Sequence, residues 1–377
     1  MIRNRAKVLL PLALLLALAP VASAQAPTDA RGALAPLPDS QAVLYVNARR
    51  IVNELLPRVM PPADYQKLLD TMHKGGFDPH DLDYAAVAIR FAGPAPPSGM
   101  PEFLVVVRGG FNADSLLMLG RLAAGSENLK TRQETYGSKT IDIFDTESIE
   151  KSMADSDENK GSEGGRPKIP YPEVAVTTLD SRTLVAGVPA YVKAAIDAAA
   201  GQGRLNPSTL DLAAREPQAL WSLTAVIPPA LTDYIHKFGV PANEELDKTL
   251  GWMKQISLSQ GMDALNVTFH AALLTDAPEH ASALNGLARM GLVGLQSVLA
   301  EEAAKQDSKD APDARNALAV LKTVVNRTEG NTLVISAAVP VSTVAELVKK
   351  QMTKSPATTT KPRTTRRRLR RRTARRH

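Results

Sequence analysis

Four groups of residues have types and spacings that suggest chemistry. Asp155, Asp157, Asn159 and Glu163 stand at positions 1, 3, 5 and 9 of a would-be calcium loop, where oxygen ligands surround a hard cation. The rest of the pattern fails. Lys160 replaces the turn glycine, Ser162 the apolar anchor and Arg166 the bidentate glutamate, so the stretch reads as acidic linker. Ser148-Ile149-Glu150-Lys151 has the Ser-x-x-Lys spacing in which a lysine activates a serine, but neither companion motif of that chemistry accompanies it. Gly137-Ser138-Lys139-Thr140 has the letters of a phosphate loop. Its hairpin context lacks the helix N-terminus such a loop needs, and a β-turn accounts for it. His80 lies among Asp78, Asp81 and Asp83, which would tune a base; the simpler reading is a capped turn with Asp78 as N-cap and Pro79 at N1. Histidines 73, 80, 236, 270 and 280 are widely spaced, and no pair has helical metal-ligand spacing. No catalytic, cofactor or metal site is assigned, and no cofactor is expected.

The fifth group is a charge run. Residues 354–377 contain no acid and eleven cations: Lys354, Lys361, Arg363, Arg366, Arg367, Arg368, Arg370, Arg371, Arg372, Arg375 and Arg376. Such runs stay disordered and seek polyanions. The three cations of the N-terminal leader and these eleven, taken from 45, leave 31 bases against all 39 acids. The body therefore carries −8, which argues against a nucleic-acid-binding globule.

The leader itself sets the address. Arg3, Arg5 and Lys7 precede the apolar run Val8 to Ala22, and Ala22-Ser23-Ala24 is a small-x-small cleavage site, the layout of a secretory signal peptide. Fifteen helical residues reach only about 22 Å, short of the roughly 30 Å hydrocarbon core. The expectation is cleavage near Ala24, a periplasmic or secreted mature chain, and no transmembrane helix thereafter. With no cysteine there is neither an acylation site nor a disulfide framework. For an exported chain the polyanion nearest the tail is an envelope surface: phospholipid, lipopolysaccharide or wall polymer, with nucleic acid the weaker expectation. Each cation beside an anionic membrane contributes about 1 kcal/mol, so the eleven set a ceiling of roughly 10 kcal/mol before screening.

Between leader and tail the periodicity gives an α+β protein of antiparallel sheets with helices packed on one face. Residues 1–24 are the signal peptide, 25–39 an Ala/Pro-rich leader, 40–200 a first α+β module with a flexible insertion at 151–169, 201–353 a second module, and 354–377 the tail. Strands are expected at 42–46, 84–91, 103–108, 129–135, 140–144, 173–179, 183–186 and 220–227. A hairpin over 256–274 turns at Gln260-Gly261, and a later one turns at Glu329-Gly330-Asn331. Strict alternation places Leu265, Val267, Phe269, Ala271 and Leu273 on one side of a strand. The order of elements in the two modules agrees. Thr183-Leu184-Val185 with Val188-Pro189 echoes Thr332-Leu333-Val334 with Val339-Pro340, which suggests an internal duplication.

The segment from Pro278 to Lys305 is a long helix with Leu284, Leu287, Gly291, Leu295 and Val298 on one stripe. The favoured reading is a core helix whose Gly286, Gly291 and Gly294 let it lie close to the sheet; the alternative is an apolar face lining a cavity for an acyl chain. Val43-Leu44-Tyr45-Val46-Asn47-Ala48-Arg49-Arg50-Ile51 and Gly76-Phe77-Asp78-Pro79-His80-Asp81-Leu82-Asp83 resemble segments of exported bacterial proteins of similar length that have no assigned activity. The resemblance is strongest over about 40–200. It implies export and an α+β body, and it brings no site residues.

These features lead to three expectations of function: a non-enzymatic envelope protein tethered by its tail, a soluble carrier of an apolar ligand, or an enzyme whose site is assembled from distant residues.

Overall fold

The computed structural model describes residues 29–74, 78–91, 100–155, 169–228, 243–305 and 311–354. The signal peptide, the calcium-like positions Asp157, Asn159 and Glu163, His236 and all the tail cations beyond Lys354 lie outside them.

The protein is α+β, built on one antiparallel sheet of twelve strands. The chain enters through helix α1 (Ala30–Leu34), then strand β1 (Ala42–Val46). An irregular helical stretch follows: α2 (Ala48–Arg50), a π turn (Ile51–Leu55), α3 (Leu56–Val59) and α4 (Pro62–Lys74). Next come β2 (Leu82–Arg90), β3 (Glu102–Gly109), α5 (Ala113–Ser126), β4 (Thr131–Tyr136), β5 (Lys139–Asp145) and α6 (Thr146–Asp155). The first half closes with β6 (Glu173–Asp180), β7 (Thr183–Gly187), α7 (Pro189–Ala199) and α8 (Pro207–Ala213). The second half runs through β8 (Ala219–Val226), α9 (Glu244–Trp252), β9 (Met253–Met262), β10 (Asn266–Thr275), α10 (Pro278–Ala304), α11 (Ala311–Leu321), β11 (Val325–Glu329), β12 (Thr332–Pro340) and α12 (Val341–Lys354).

Across the sheet the order is β11-β12-β10-β9-β8-β1-β2-β3-β7-β6-β5-β4. The two modules share a single sheet, joined where β1 pairs with β8. Outward from that seam each half lays down three consecutive strands, crosses by helix to its far edge and returns inward. The returning strand pairs with the third in both halves, β7 with β3 and β12 with β10. The Thr-Leu-Val echo falls on these two equivalent strands. Both edges, β4 and β11, are short and carry Arg132 and Glu134 or Arg327 and Glu329, which discourages pairing with other chains.

In the first half helices cover both faces, which corrects the expectation of helices on one face only. Cross-strand partners share a face. Tyr45, Ala86, Val106 and Val185 are such partners, and they are buried with α1, α7 and α8 residues such as Leu34, Tyr191 and Ala213. On the opposite face Val107, Leu184, Val176 and Ala186 pack with Phe111 and with Leu116 and Leu117 of α5.

Three local expectations are also corrected. The segment before Ser40 is not a leader outside the globule from residue 30 onward: Asp29 caps α1 by accepting from the Gly32 amide, and Ala30, Ala33, Leu34 and Leu37 are buried. Alanine is small enough to fit beneath the sheet, so composition alone misread it. Lys151 to Asp155 belong to α6 and not to a flexible insertion; the rest of that expected segment up to 168 lies outside the described residues. The β9–β10 turn is not at Gln260-Gly261 but at Asp263-Ala264-Leu265, where the Asp263 carboxylate accepts from the Leu265 and Asn266 amides at 2.7 Å each. These bonds hold its carboxyl below the usual range. Gly261 lies inside the strand because a Cβ there would sit 2.8 Å from Thr268 Oγ1.

Candidate functional site

Register carries the two faces of the sheet across the seam. One transverse row runs Leu44, Leu223, Leu258, Ala271, Ile335; the next runs Ala42, Ala225, Ile256, Leu273, Leu333. The opposite face carries Tyr45, Ser222, Ser259, His270, Ser336 and then Val43, Thr224, Ser257, Ala272, Val334. From β8 through β10 the second half therefore has one aliphatic face and one lined mostly with hydroxyls.

Burial is the reverse of what solvent favours. Ser222, Thr224, Ser257 and Ser259 are buried, whereas Leu223, Ile256, Leu258 and Phe269 are 37–40% exposed. The hydroxyl face is closed by α8 and the turn after it. Thr224 Oγ1 donates to Ser257 Oγ at 2.8 Å. Gln255 reaches Ser208 and Thr209 of α8, and His270 Nδ1 lies 3.4 Å from Glu216. Ser222 Oγ and Gln255 Oε1 remain without a hydrogen-bond partner among the described residues.

Among the described residues one end of the aliphatic face is covered, where Leu220, Met262 and Val267 pack with Val59 and with α12 through Val341, Val344 and Val348, and Leu333 on the same face is buried as well. Beside that end lies a groove of about 470 Å³ lined by apolar side chains of β8, β9, β10 and β12, among them Met253, Ile256, Leu273 and Ile335, and by Ile227 just after β8. Beside Met253, Lys254 lies 3.8 Å from Asp276. The Asp276 carboxyl is held below its usual range, chiefly by the hydrogen bond with His280, and that imidazole stacks on Trp252 with ring centroids 4.2 Å apart. Among the described residues the groove's lining offers no nucleophile or base to a bound molecule. Its chemistry is exclusion of water from hydrocarbon.

The other sequence candidates resolve into structural roles. Asp78 caps a 3₁₀ turn by accepting from the His80 amide at 2.9 Å, with Pro79 at its start, and His80 Nδ1 meets Asn53 at 2.6 Å. Ser148 Oγ donates to the Asp145 carbonyl at 2.7 Å, while Lys151 pairs with Glu147 at 2.7 Å. The lysine therefore serves its own helix and not the serine. Gly137 has φ of 58° in the β4–β5 turn, as a tight hairpin requires. Among the described residues no group of three or more His, Asp or Glu side chains converges in a way that could hold a metal.

Sequence reasoning missed the buried, paired role of two carboxylates, Asp83 and Asp142. Asp83 is shared by Arg49 and Arg182. Asp142 accepts from Arg121 Nε with both oxygens, at 2.9 and 2.8 Å, and from Gln133. Their arginines come from distant segments, so spacing gave no signal. The long helix was misread as core. Only Ala281 and Leu284 of α10 are buried, and a Cβ on Gly286, Gly291 or Gly294 would meet nothing within 4 Å. The glycines face open space and not the sheet. Among the described residues no helix is long and apolar enough to cross a membrane.

No family model matches the chain, and no curated protein matches it. Among solved structures it is similar to crystal forms of TP0453. Form III aligns at 10% identity and a TM-score of 0.39, over 84% of this chain and 97% of that one. Form IV aligns at 11% and 0.38, over 84% and 95%, and form I at 10% and 0.36, over 87% and 98%.

Proposed function

We propose that this chain is an exported, non-enzymatic envelope protein that shelters an apolar, chain-like ligand on the open face of its second half. In this reading the arginine-rich tail keeps it near an anionic surface, in the periplasm or outside the cell. The observation that carries the reading is the inverted burial of β8 to β10, hydroxyls inside and leucines outside. Leaving a continuous aliphatic surface in water is unfavourable by about 25 cal/mol per Å², and large exposed apolar patches mark binding sites. At roughly 30 Å³ per heavy atom, the groove of about 470 Å³ accommodates on the order of fifteen heavy atoms, the scale of one acyl chain. Each methylene withdrawn from water contributes about 0.8 kcal/mol, enough for micromolar binding after the cost of association.

Organic extraction of the purified mature protein, followed by mass spectrometry, is expected to release a lipid. A fluorescent fatty acid is expected to bind wild type and to lose at least about tenfold in affinity in Ile256→Glu, whose carboxylate would be desolvated against the chain. Equal binding by the two proteins would remove the groove from consideration. The tail is tested separately by sedimentation with anionic vesicles. Binding is expected to fall with salt and to vanish when residues 354–377 are deleted; indifference to the deletion would sink the tether. The matched strand order of the two halves and the Thr-Leu-Val echo support descent from a duplicated module.

A further inference from the structure

The α10 helix has a second exposed apolar surface, separate from the groove, which no α10 residue lines. Leu287, Met290, Leu295 and Val298 are 49–65% exposed, and Gly291 and Gly294 between them face open space. On a helix of 3.6 residues per turn these six positions span roughly 140° of arc, beside the face that carries the buried Ala281; the buried Leu284 shares the arc but precedes Leu287 by about one turn.

The stripe is a palindrome. About a point midway between Leu292 and Val293, Leu287 maps onto Val298, Met290 onto Leu295 and Gly291 onto Gly294. The two-fold axis relating these pairs emerges through the middle of the exposed arc. A surface symmetric about an outward two-fold is what an isologous contact needs, since residue i of one copy then meets residue j of the other, and j meets i.

We propose that α10 pairs with α10 of a second copy of this chain, antiparallel, with Gly291 and Gly294 at the crossing. Helix axes pack 8–10 Å apart depending on the side chains at the contact, and glycine at the crossing permits the close end of that range. The large residues on either side then interlock, Leu287 of each copy against Val298 of the other. Two such stripes and the neighbouring glycine backbone bury on the order of 1,000 Å², the threshold for a specific interface. Charge favours a second copy over a lipid surface. The helix carries Glu279, Glu301 and Glu302 against Arg289 alone, whereas helices that lie on membranes are rich in Lys and Arg on their polar face.

Sedimentation equilibrium of the mature full chain is expected to show a dimer. Met290→Glu puts two unpaired carboxylates into the apolar interface and is expected to weaken it about a hundredfold, with thermal stability of the monomer unchanged because the side chain is exposed. Gly291→Leu is a second route: open space and better helix propensity keep the monomer folded, while the added bulk separates the helices. The chain has no cysteine, so single cysteines report geometry. A mixture of Gly291→Cys and Gly294→Cys chains is expected to cross-link more strongly than either alone. Three results would each overturn the proposal: a wild-type monomer at the highest soluble concentration, a dimer indifferent to Met290→Glu, or stronger cross-linking of Gly291→Cys to itself than to Gly294→Cys. Binding of monomeric protein to zwitterionic vesicles that is lost in Met290→Glu would reassign the stripe to a membrane surface.

Discussion

The two halves of the sheet share an outline of strand order but differ in how their faces are covered. In the first half, helices close the sheet on both sides, with Leu104, Val106 and Tyr45 in one core with α1 and α7 and with Leu184 and Val176 packed with α5. In the second, a row of serines and threonines is buried and the leucines opposite are left to solvent. Strand pairing is thus compatible with either deployment, because the ladder is made by backbone and the faces by side chains. A closed half anchored to an open one through β1–β8 lets the open half carry exposed apolar surface without having to hold the fold together.

The sharpest break of that comparison is a pair of leucine truncations. Leu104→Ala, in a fully buried site, is expected to cost about 2–5 kcal/mol. Leu258→Ala, on the open face, is expected to cost about 1–2 kcal/mol, since over a third of the residue already meets water. Chemical denaturation of both variants measures the difference, and equal losses would mean that the open face is closed in solution. Asp142→Ala is expected to cost about 2 kcal/mol. It removes three charge-assisted hydrogen bonds, and the stranded Arg121, 40% exposed, recovers part through water.

Alkaline pH separates the halves by a smaller amount. Burial pushes the Tyr191 phenol from 10.0 up to about 12, and Tyr45 and Tyr84 are also raised by burial. Above pH 10 the unfolded chain loses these protons while the folded one keeps them, so stability is full below about 10 and falls as pH rises toward 12. Tyr191→Phe is expected to flatten that fall without abolishing it, as followed by denaturant midpoints between pH 9 and 11. The smallest effect is expected for Ser222→Ala. Removing a buried hydroxyl that has no partner among the described residues leaves stability unchanged or raises it slightly, whereas a clear loss would give that hydroxyl a structural task.

Much of the fold was legible in the sequence. Gly137 and Gly330, both at φ of 58°, marked two hairpins because only a tight turn wants them there, and alternation found nearly every strand. Gly261 misled because close approach of Thr268 and a turn both call for glycine, and the Asp263 cap that makes the real turn was overlooked. The candidate site was harder to read. Leu223, Leu258 and Phe269 satisfy the alternation of any half-buried strand, and sequence does not say which face the helices will leave bare. The same holds for α10: Leu287 and Val298 would look identical turned inward. The seam between β1 and β8 joins segments about 180 residues apart, beyond what local pattern can register.

That separation also sets a timetable. β1 takes a central place in the sheet, yet as the chain elongates it finds β2 early and waits for β8. At about 5–20 residues per second the delay is on the order of ten to forty seconds, during which Ala42–Val46, almost wholly apolar, presents a bare edge. Non-local pairings of this kind are slow to close and prone to aggregation. The strand that unites the two halves in the finished molecule is therefore the one most in need of protection while it is being made, and a chaperone that holds extended apolar segments is the factor on which the yield of folded protein should most depend.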